Sequence, residues 1–80
     1  MKTITMRATV EFSIPEFELV QLLSDDGERT LSVGENTEGI DWRMLREGQG
    51  LICELDIWEH ATRVVRARLA APDEVVGPWR

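Results

Sequence analysis

The stretch IPEFELVQLLSDDGERTLSV, residues 14–33, decides the fold because it predicts two β-strands joined by a tight turn. The first of these strands covers residues 17–23 and is apolar on both faces. Gly27 in the segment SDDGE can adopt the positive backbone angle that a tight turn needs. Residues 30–33 then form a short returning strand. A β-hairpin is therefore predicted in the first half of the chain.

The residues before the hairpin alternate between apolar and polar side chains. The apolar positions are Ile4, Met6, Ala8, Val10, Phe12 and Ile14. A period of two over such a length predicts a half-buried strand, and it favours a core position for Phe12 over an exposed one. Pro15 ends the strand because proline cannot donate a hydrogen bond to a sheet ladder.

Two more strands are predicted after an irregular, glycine-containing loop with one helical turn before Trp42. In residues 51–58, side chains that point outward alternate with side chains that point toward the core. The inward residues are Leu51, Cys53, Leu55 and Ile57. Trp58 belongs to the outward set, so it is expected either as an exposed ring or as cover for a strand edge. Residues 63–69 form the fifth strand, and its predicted inward residues are Val65, Ala67 and Leu69.

Five short strands without a long helix predict an all-β fold, a small five-stranded antiparallel barrel of the OB type. Closure into a barrel is favoured because it removes the unpaired edges of the sheet. The chain has 80 residues, which is enough for one domain and too few for two. The barrel is expected in residues 1–70, and residues 71–80 follow as a C-terminal tail.

The overall composition favours a small cytoplasmic protein. Apolar residues make up 42% of the chain and charged residues 30%. No window approaches the run of roughly 20 apolar residues that a membrane-spanning helix needs, and the alternating first residues do not resemble a secretory signal. The net charge of −6, from nine Lys and Arg against fifteen Asp and Glu, opposes long-range attraction to phosphate backbones.

No catalytic, cofactor or metal site is predicted. Cys53 is the only cysteine, so it can form neither an intramolecular disulfide nor a cysteine-based zinc cage. Its apolar neighbours indicate a buried thiol, and a single distant His60 does not make a catalytic pair with it. Asp25 and Asp26 are expected to accept hydrogen bonds from the backbone of their own turn. We therefore expect a non-enzymatic protein without a cofactor.

Five segments of the chain resemble the cold-shock domain family. They are ATVEFS, DDG, LSVG, DWRMLREGQGLICELD and VVRARL, in the places of the family's GTVKWFN, DDG, VFVH, GFKxLxEGQxVxFEV and closing strand. The resemblance spans residues 7–69, and the short piece LREGQ is its best-matching part. It implies a five-stranded OB barrel without a cofactor that binds single-stranded RNA or DNA through exposed aromatic and basic side chains.

The binding face of that family is altered in this sequence. Most of its aromatic and basic positions carry other side chains, namely Glu11, Leu19, Gln21, Ser32 and Gly34. Stacking on an aromatic ring contributes about 1–3 kcal/mol per base, so nucleic-acid binding is expected to be weak or specialised. The candidate residues for it are Phe12, Trp42, Arg43, Arg66 and Arg68.

Several of these candidates also have a purely structural explanation. Trp42 is expected either as an exposed contact or as a lid over the end of the barrel. The arginines of the fifth strand are Arg63, Arg66 and Arg68. Instead of holding phosphates they can form cross-strand ion pairs with the nearby acids Glu54, Asp56 and Glu59.

A second functional hypothesis comes from Phe17, Leu19 and Leu23. These residues form an apolar face where the family leaves its ligand-binding surface open, and exposed apolar area of this kind marks a protein contact. The chain is then a protein-interaction or self-association module that has lost nucleic-acid binding. The alternative is that the tail covers this face with Val75, Val76 and Trp79.

Overall fold

The computed structural model describes residues 2–59 and 61–73. Its strands are β1 (Lys2–Ile14), β2 (Leu19–Ser24), β3 (Thr30–Gly34), β4 (Gly50–Trp58) and β5 (Ala61–Leu69). They pair antiparallel in the order β3-β2-β1-β4-β5, and the sheet curls into a half-barrel. The predicted all-β class and five-stranded antiparallel architecture are confirmed, and this architecture is compatible with an OB-like fold.

The long central strand β1 joins the two halves of the barrel. Its residues 2–9 pair with β4, and its residues 8–14 pair with β2. The loop after β3 then approaches β5 and makes a parallel bridge to it. In this bridge the Glu38 N–H donates to the Val65 carbonyl at 3.0 Å, and the Ala67 N–H donates to the Glu38 carbonyl at 2.9 Å. The bridge brings the β3 side of the sheet next to the last strand.

The core lies on the inner side of the curled sheet. Its completely buried apolar side chains are Met6, Ala8, Val20, Leu22, Val33, Leu51, Cys53 and Leu55. The predicted alternation is therefore confirmed for β1 as far as Val10, for β2, and for β4 except at Ile52, a member of the predicted outward set that is only 8% exposed. Ile57, predicted to point inward, is partly buried against this cluster.

The predicted core position of Phe12 is wrong. A β-bulge interrupts β1 between Val10 and Phe12: Val10 lies opposite Leu22, whereas Phe12 lies opposite Gln21. The extra residue, Glu11, inverts the alternation for the rest of the strand, since a bulge places two residues opposite one. Phe12 therefore points outward, and its side chain is 45% exposed.

The predicted inward set of the fifth strand is wrong at Val65, because of a second bulge, and at Leu69, because that residue lies at the end of the strand. Leu55 lies opposite Val64, but the preceding Glu54 lies opposite Arg66, so Val65 is the extra residue. The inward residues of β5 are Val64 and Ala67, both buried. Val65 is half-buried, and Leu69 at the end of the strand is 54% exposed.

The second strand begins later than predicted, so Phe17 does not lie on it. Phe17 belongs to a 3₁₀ turn, Pro15–Phe17, and is 72% exposed. Pro15 occupies the first turn of this segment, where its missing N–H costs nothing, and it ends β1 as expected. Glu18 follows in the left-handed conformation with φ 54° and turns the chain into β2.

The tight turn between β2 and β3 is confirmed. Gly27 has φ 75°, and the Asp26 carboxylate accepts hydrogen bonds from the Ser24 hydroxyl and from the Glu28 N–H, the latter at 3.0 Å. The hydrogen bond from Ser24 is the largest cause that lowers the pKa of Asp26 below its usual value. Asp25 differs from the expectation, because its carboxylate pairs with Arg7 at 3.3 Å.

The last described strand ends at Leu69, next to the predicted boundary of the barrel. Val75, Val76 and Trp79, which were expected to cover the apolar face, lie outside the described residues, as does His60. Within the described part of the chain, no helix has the length and apolar content that crossing a bilayer requires.

Candidate functional site

The outward side chains of the β1, β2 and β3 segments that pair with one another form a continuous surface, called the outer face below. Side chains directly opposite each other on paired strands point to the same side of a sheet. Phe12 lies opposite Gln21, Ile14 opposite Leu19, and Leu19 opposite Gly34. The members of the outer face are Thr9, Phe12, Ile14, Leu19, Gln21, Leu23, Thr30 and Ser32. Phe17 lies in the turn that connects two of these strands.

The outer face is apolar at its centre and lacks basic residues. Within this surface, the Gln21 side-chain amide donates a hydrogen bond to the Glu11 carboxylate at 3.0 Å. Residues 8–28, which supply most of this surface, contain six acidic residues and no lysine or arginine. The predicted apolar grouping of Leu19 and Leu23 is therefore present on β2, and the bulge adds Phe12 to it.

A cleft of about 250 Å³ lies beside the end of the outer face where Leu19 meets Gly34. Its lining residues are Glu18, Gly34, Glu35, Ile40, Asp41, Trp42 and Arg43. Trp42 is half-buried and packs with Ile40 and Leu45 against the core, as expected for a lid over the end of the barrel. The remaining part of its ring lines the cleft.

Arg43 is held by a neighbour in its own turn. Its Nε donates to Asp41 Oδ1 at 3.1 Å, and its Nη2 donates to Asp41 Oδ2 at 3.3 Å. These hydrogen bonds lower the pKa of Asp41 and raise the pKa of Arg43, which the charges of Glu35 and Glu18 raise further. The cleft thus contains three carboxylates and one guanidinium, and its net charge is negative.

The other predicted cations line a different cleft, of about 340 Å³, on the outer side of β4 and β5. Arg66 pairs there with Glu38 at 3.0 Å and with Glu54 at 3.3 Å, so the predicted cross-strand ion pair is confirmed for Arg66 and Glu54. Hydrogen bonding to Glu38 is the largest cause that raises the pKa of Arg66. Arg63 lies opposite Asp56 in the strand register.

The structure therefore separates the predicted nucleic-acid-binding residues. Trp42 and Arg43 line the first cleft, Arg66 and Arg68 line the second, and the two clefts share no lining residue. Phe12 belongs to the outer face. The carboxylates of the first cleft were not predicted from the sequence, because they come from the irregular loop after β3 and from the turn before β2, which the pairing of Leu19 with Gly34 places beside that loop. Glu18, from the turn before β2, is the example most distant in sequence from Trp42.

Trp58 lies at the far end of β4, where it pairs with Ala61, and it is 42% exposed, as its alternation predicted. Its neighbour in the ladder, Ile57, pairs with Lys2 at the start of β1, whereas Phe12 lies near the end of that strand. Trp58 is therefore an exposed aromatic side chain remote from the outer face.

The buried Cys53 thiol is expected to be unreactive in the folded chain. Burial raises its pKa to about 12, and only the thiolate form of cysteine is a good nucleophile. We expect an aromatic disulfide reagent at about pH 8 to label the protein only after unfolding in guanidinium. Labelling of the folded protein at the rate of the unfolded chain would contradict this burial.

The same thiol predicts a pH dependence of stability. The pKa of a thiol in an unfolded chain is about 8.5, so the folded state binds the Cys53 proton more tightly. This stabilisation is complete below about pH 8.5 and declines as the pH rises toward the folded-state pKa of about 12. Denaturant unfolding in this window should show a steeper loss for the wild type than for Cys53→Ala. If the stabilities of the wild type and of Cys53→Ala changed in parallel with pH, the raised pKa of Cys53 would be refuted.

The described residues include no group of three or more His, Cys, Asp or Glu side chains that could hold a metal ion. No protein-family model matches the chain, and comparisons with curated proteins and with solved structures gave no match either.

Proposed function

We propose that the chain is a divergent cold-shock-like domain without enzymatic activity, and that its outer face binds another protein. The observation that carries this proposal is the set of apolar side chains left in contact with solvent on one face of the sheet. Phe12 is 45% and Phe17 72% exposed, and Ile14, Leu19 and Leu23 are half-buried around them. A contiguous apolar surface of this kind is typical of a protein contact.

Three features support the family part of the proposal. The strand order and the parallel bridge between Glu38 and Arg66 fit a five-stranded OB barrel. The best-matching segment, LREGQ, forms the turn before β4, and the Gln49 side chain accepts a hydrogen bond from the Arg46 N–H at 2.7 Å. The same turn contacts β1, because the Gly48 N–H donates to the Val10 carbonyl at 2.9 Å.

Charge favours a protein over a nucleic acid as the ligand of the outer face. Phosphate contacts dominate the affinity of nucleic-acid-binding proteins, and they require lysine or arginine close to the bases. Residues 8–28 carry acidic side chains and no such cation. Arg43, at the border of this surface, is already hydrogen-bonded to Asp41.

Weak binding of single-stranded nucleic acid is the second candidate function, and the exposure of Phe12 favours it. This ring occupies the position of the family's tryptophan in the first strand and faces solvent. Titration with a thymidine homopolymer at low and at high salt tests it, with the indole signals of Trp42 and Trp58 followed by NMR. A response of Trp42 that weakens steeply with salt supports nucleic-acid binding. No response at the lowest salt rejects it.

The protein-binding proposal is tested with two matched aromatic substitutions. Phe12→Asp places a charge on the outer face, whereas Trp58→Asp does the same at a similarly exposed ring elsewhere. Partners cross-linked to the wild type in cell extract are identified, purified and titrated against all three proteins. We expect Phe12→Asp to weaken the purified partner's affinity about tenfold or more, and Trp58→Asp to leave it nearly unchanged. Equal affinities for all three proteins would exclude the outer face as the interface.

A further inference from the structure

We infer that the cleft at Trp42 accepts a lysine or arginine side chain of the protein partner. This inference rests on the proposed binding of a protein at the outer face. The partner then has a defined chemistry: a segment whose apolar side chains cover the outer face and whose cation enters the adjoining cleft.

The cleft and the outer face form one continuous surface. Leu19 belongs to the outer face, and its neighbour Gly34 lines the cleft. Gly34 has no side chain to separate the two regions: a Cβ at this position would lie 2.9 Å from Leu19 Cδ2. A single extended segment lying across Leu19 can therefore place its next side chain into the cleft.

The lining of the cleft suits a cation. Within the described residues the carboxylates of Glu18 and Glu35 accept no hydrogen bond and interact with Arg43 only through their charges, so their oxygens can accept from an incoming donor. Trp42 contributes an aromatic ring, which attracts an ammonium or guanidinium group placed over its face. Asp41 differs from the other two acids, since its oxygens already accept hydrogen bonds from Arg43.

Charge also argues against a second copy of this chain as the occupant. The net charge is −6, and an isologous dimer through the outer face would bring the same acidic rim of both copies together. The nearest acids are Glu11, Glu16, Glu18 and Glu35. Like charges across an interface disfavour association, whereas a basic partner turns the same rim into attraction.

Selection of random short peptides displayed on phage tests the inference without a known partner. The wild type and Phe12→Asp are panned in parallel. We expect the wild type to enrich peptides with a lysine or arginine flanked by apolar residues, and Phe12→Asp to lose this enrichment. Enrichment of apolar peptides without a basic residue would overturn the inference and leave the proposed function intact. Equal recovery on both proteins would overturn the proposed function itself.

An enriched peptide then locates the cation. Glu35→Gln keeps the size of the side chain and removes its charge, so the peptide's affinity should fall about tenfold, the factor expected for one charge-assisted hydrogen bond. Glu28→Gln is the matched control, because Glu28 lies in the turn between β2 and β3, at the opposite end of these strands. Replacing the peptide's arginine by citrulline should abolish the difference between wild type and Glu35→Gln. An unchanged affinity in Glu35→Gln and in a Glu18→Gln, Glu35→Gln double variant would show that the cation lies elsewhere.

Discussion

Replacing Leu22 by alanine should lower the free energy of unfolding by about 2–5 kcal/mol, the range measured when a buried leucine is truncated. Leu22 is completely inaccessible to solvent and packs within the core cluster of the barrel. Its removal combines the lost transfer free energy of the side chain with the cost of the cavity that remains. Denaturant unfolding followed by far-UV circular dichroism measures the change.

Leu23→Ala is the matched control for Leu22→Ala. The two leucines are adjacent on β2, but Leu23 is half-buried on the outer face, so a smaller apolar area returns to water on truncation. We expect a loss below about 1.5 kcal/mol for Leu23→Ala. Similar losses for both substitutions, or a larger loss at Leu23, would mean that the faces of β2 are assigned the wrong way round.

The sequence predicted strands β1 to β4 and the hairpin between β2 and β3, because local sequence signals dominate in these segments. Strict alternation up to Val10, the proline after Ile14 and the glycine of the β2–β3 turn each restrict the backbone without help from distant residues. Leu19 and Leu23 were also grouped correctly, since both belong to one face of a strand with a period of two.

The two bulges could not be predicted from the same signals. Around Glu11 the apolar and polar residues continue to alternate, so the pattern contains no mark of the extra residue that turns Phe12 outward. In β5, Val64 and Val65 are adjacent and identical, and only the pairing with β4 decides which of them enters the core. A bulge depends on the partner strand, and a single-strand pattern does not describe that partner.

The cleft is a product of tertiary structure for a similar reason. Trp42 is a candidate because of the resemblance to the cold-shock family, but Glu18 and Gly34 join it only through the pairing of β2 with β3 and the path of the loop after β3. The closing contact is the bridge between Glu38 and β5, in an irregular loop where no periodicity exists to guide a prediction. The position of Trp42 beside the acidic residues of the cleft thus depends on a loop that has no periodic sequence pattern.

That closing contact gives the second large expected effect: Gly39→Ala should destabilise the protein by about 2–4 kcal/mol. Gly39 has φ 84°, a conformation that costs other L-residues about 1–2 kcal/mol. In addition, a Cβ at this position would lie 2.6 Å from the Ala67 carbonyl oxygen, which belongs to the backbone of β5 and cannot rotate away. The loop must therefore move, and the two hydrogen bonds between Glu38 and β5 weaken.

Gly48→Ala is the control that separates the cost of a positive φ from the steric clash with the Ala67 carbonyl. Gly48 has φ 88°, but nothing lies within 4 Å of the position its Cβ would take. We expect a loss of only about 1–2 kcal/mol there. Native-state hydrogen exchange adds a local measurement, because the Ala67 N–H donates to the Glu38 carbonyl. When the two variants are compared at equal global stability, this N–H should exchange faster in Gly39→Ala than in Gly48→Ala. Equal destabilisation by the two substitutions, with unchanged protection of Ala67, would show that the bridge to β5 does not hold the barrel closed.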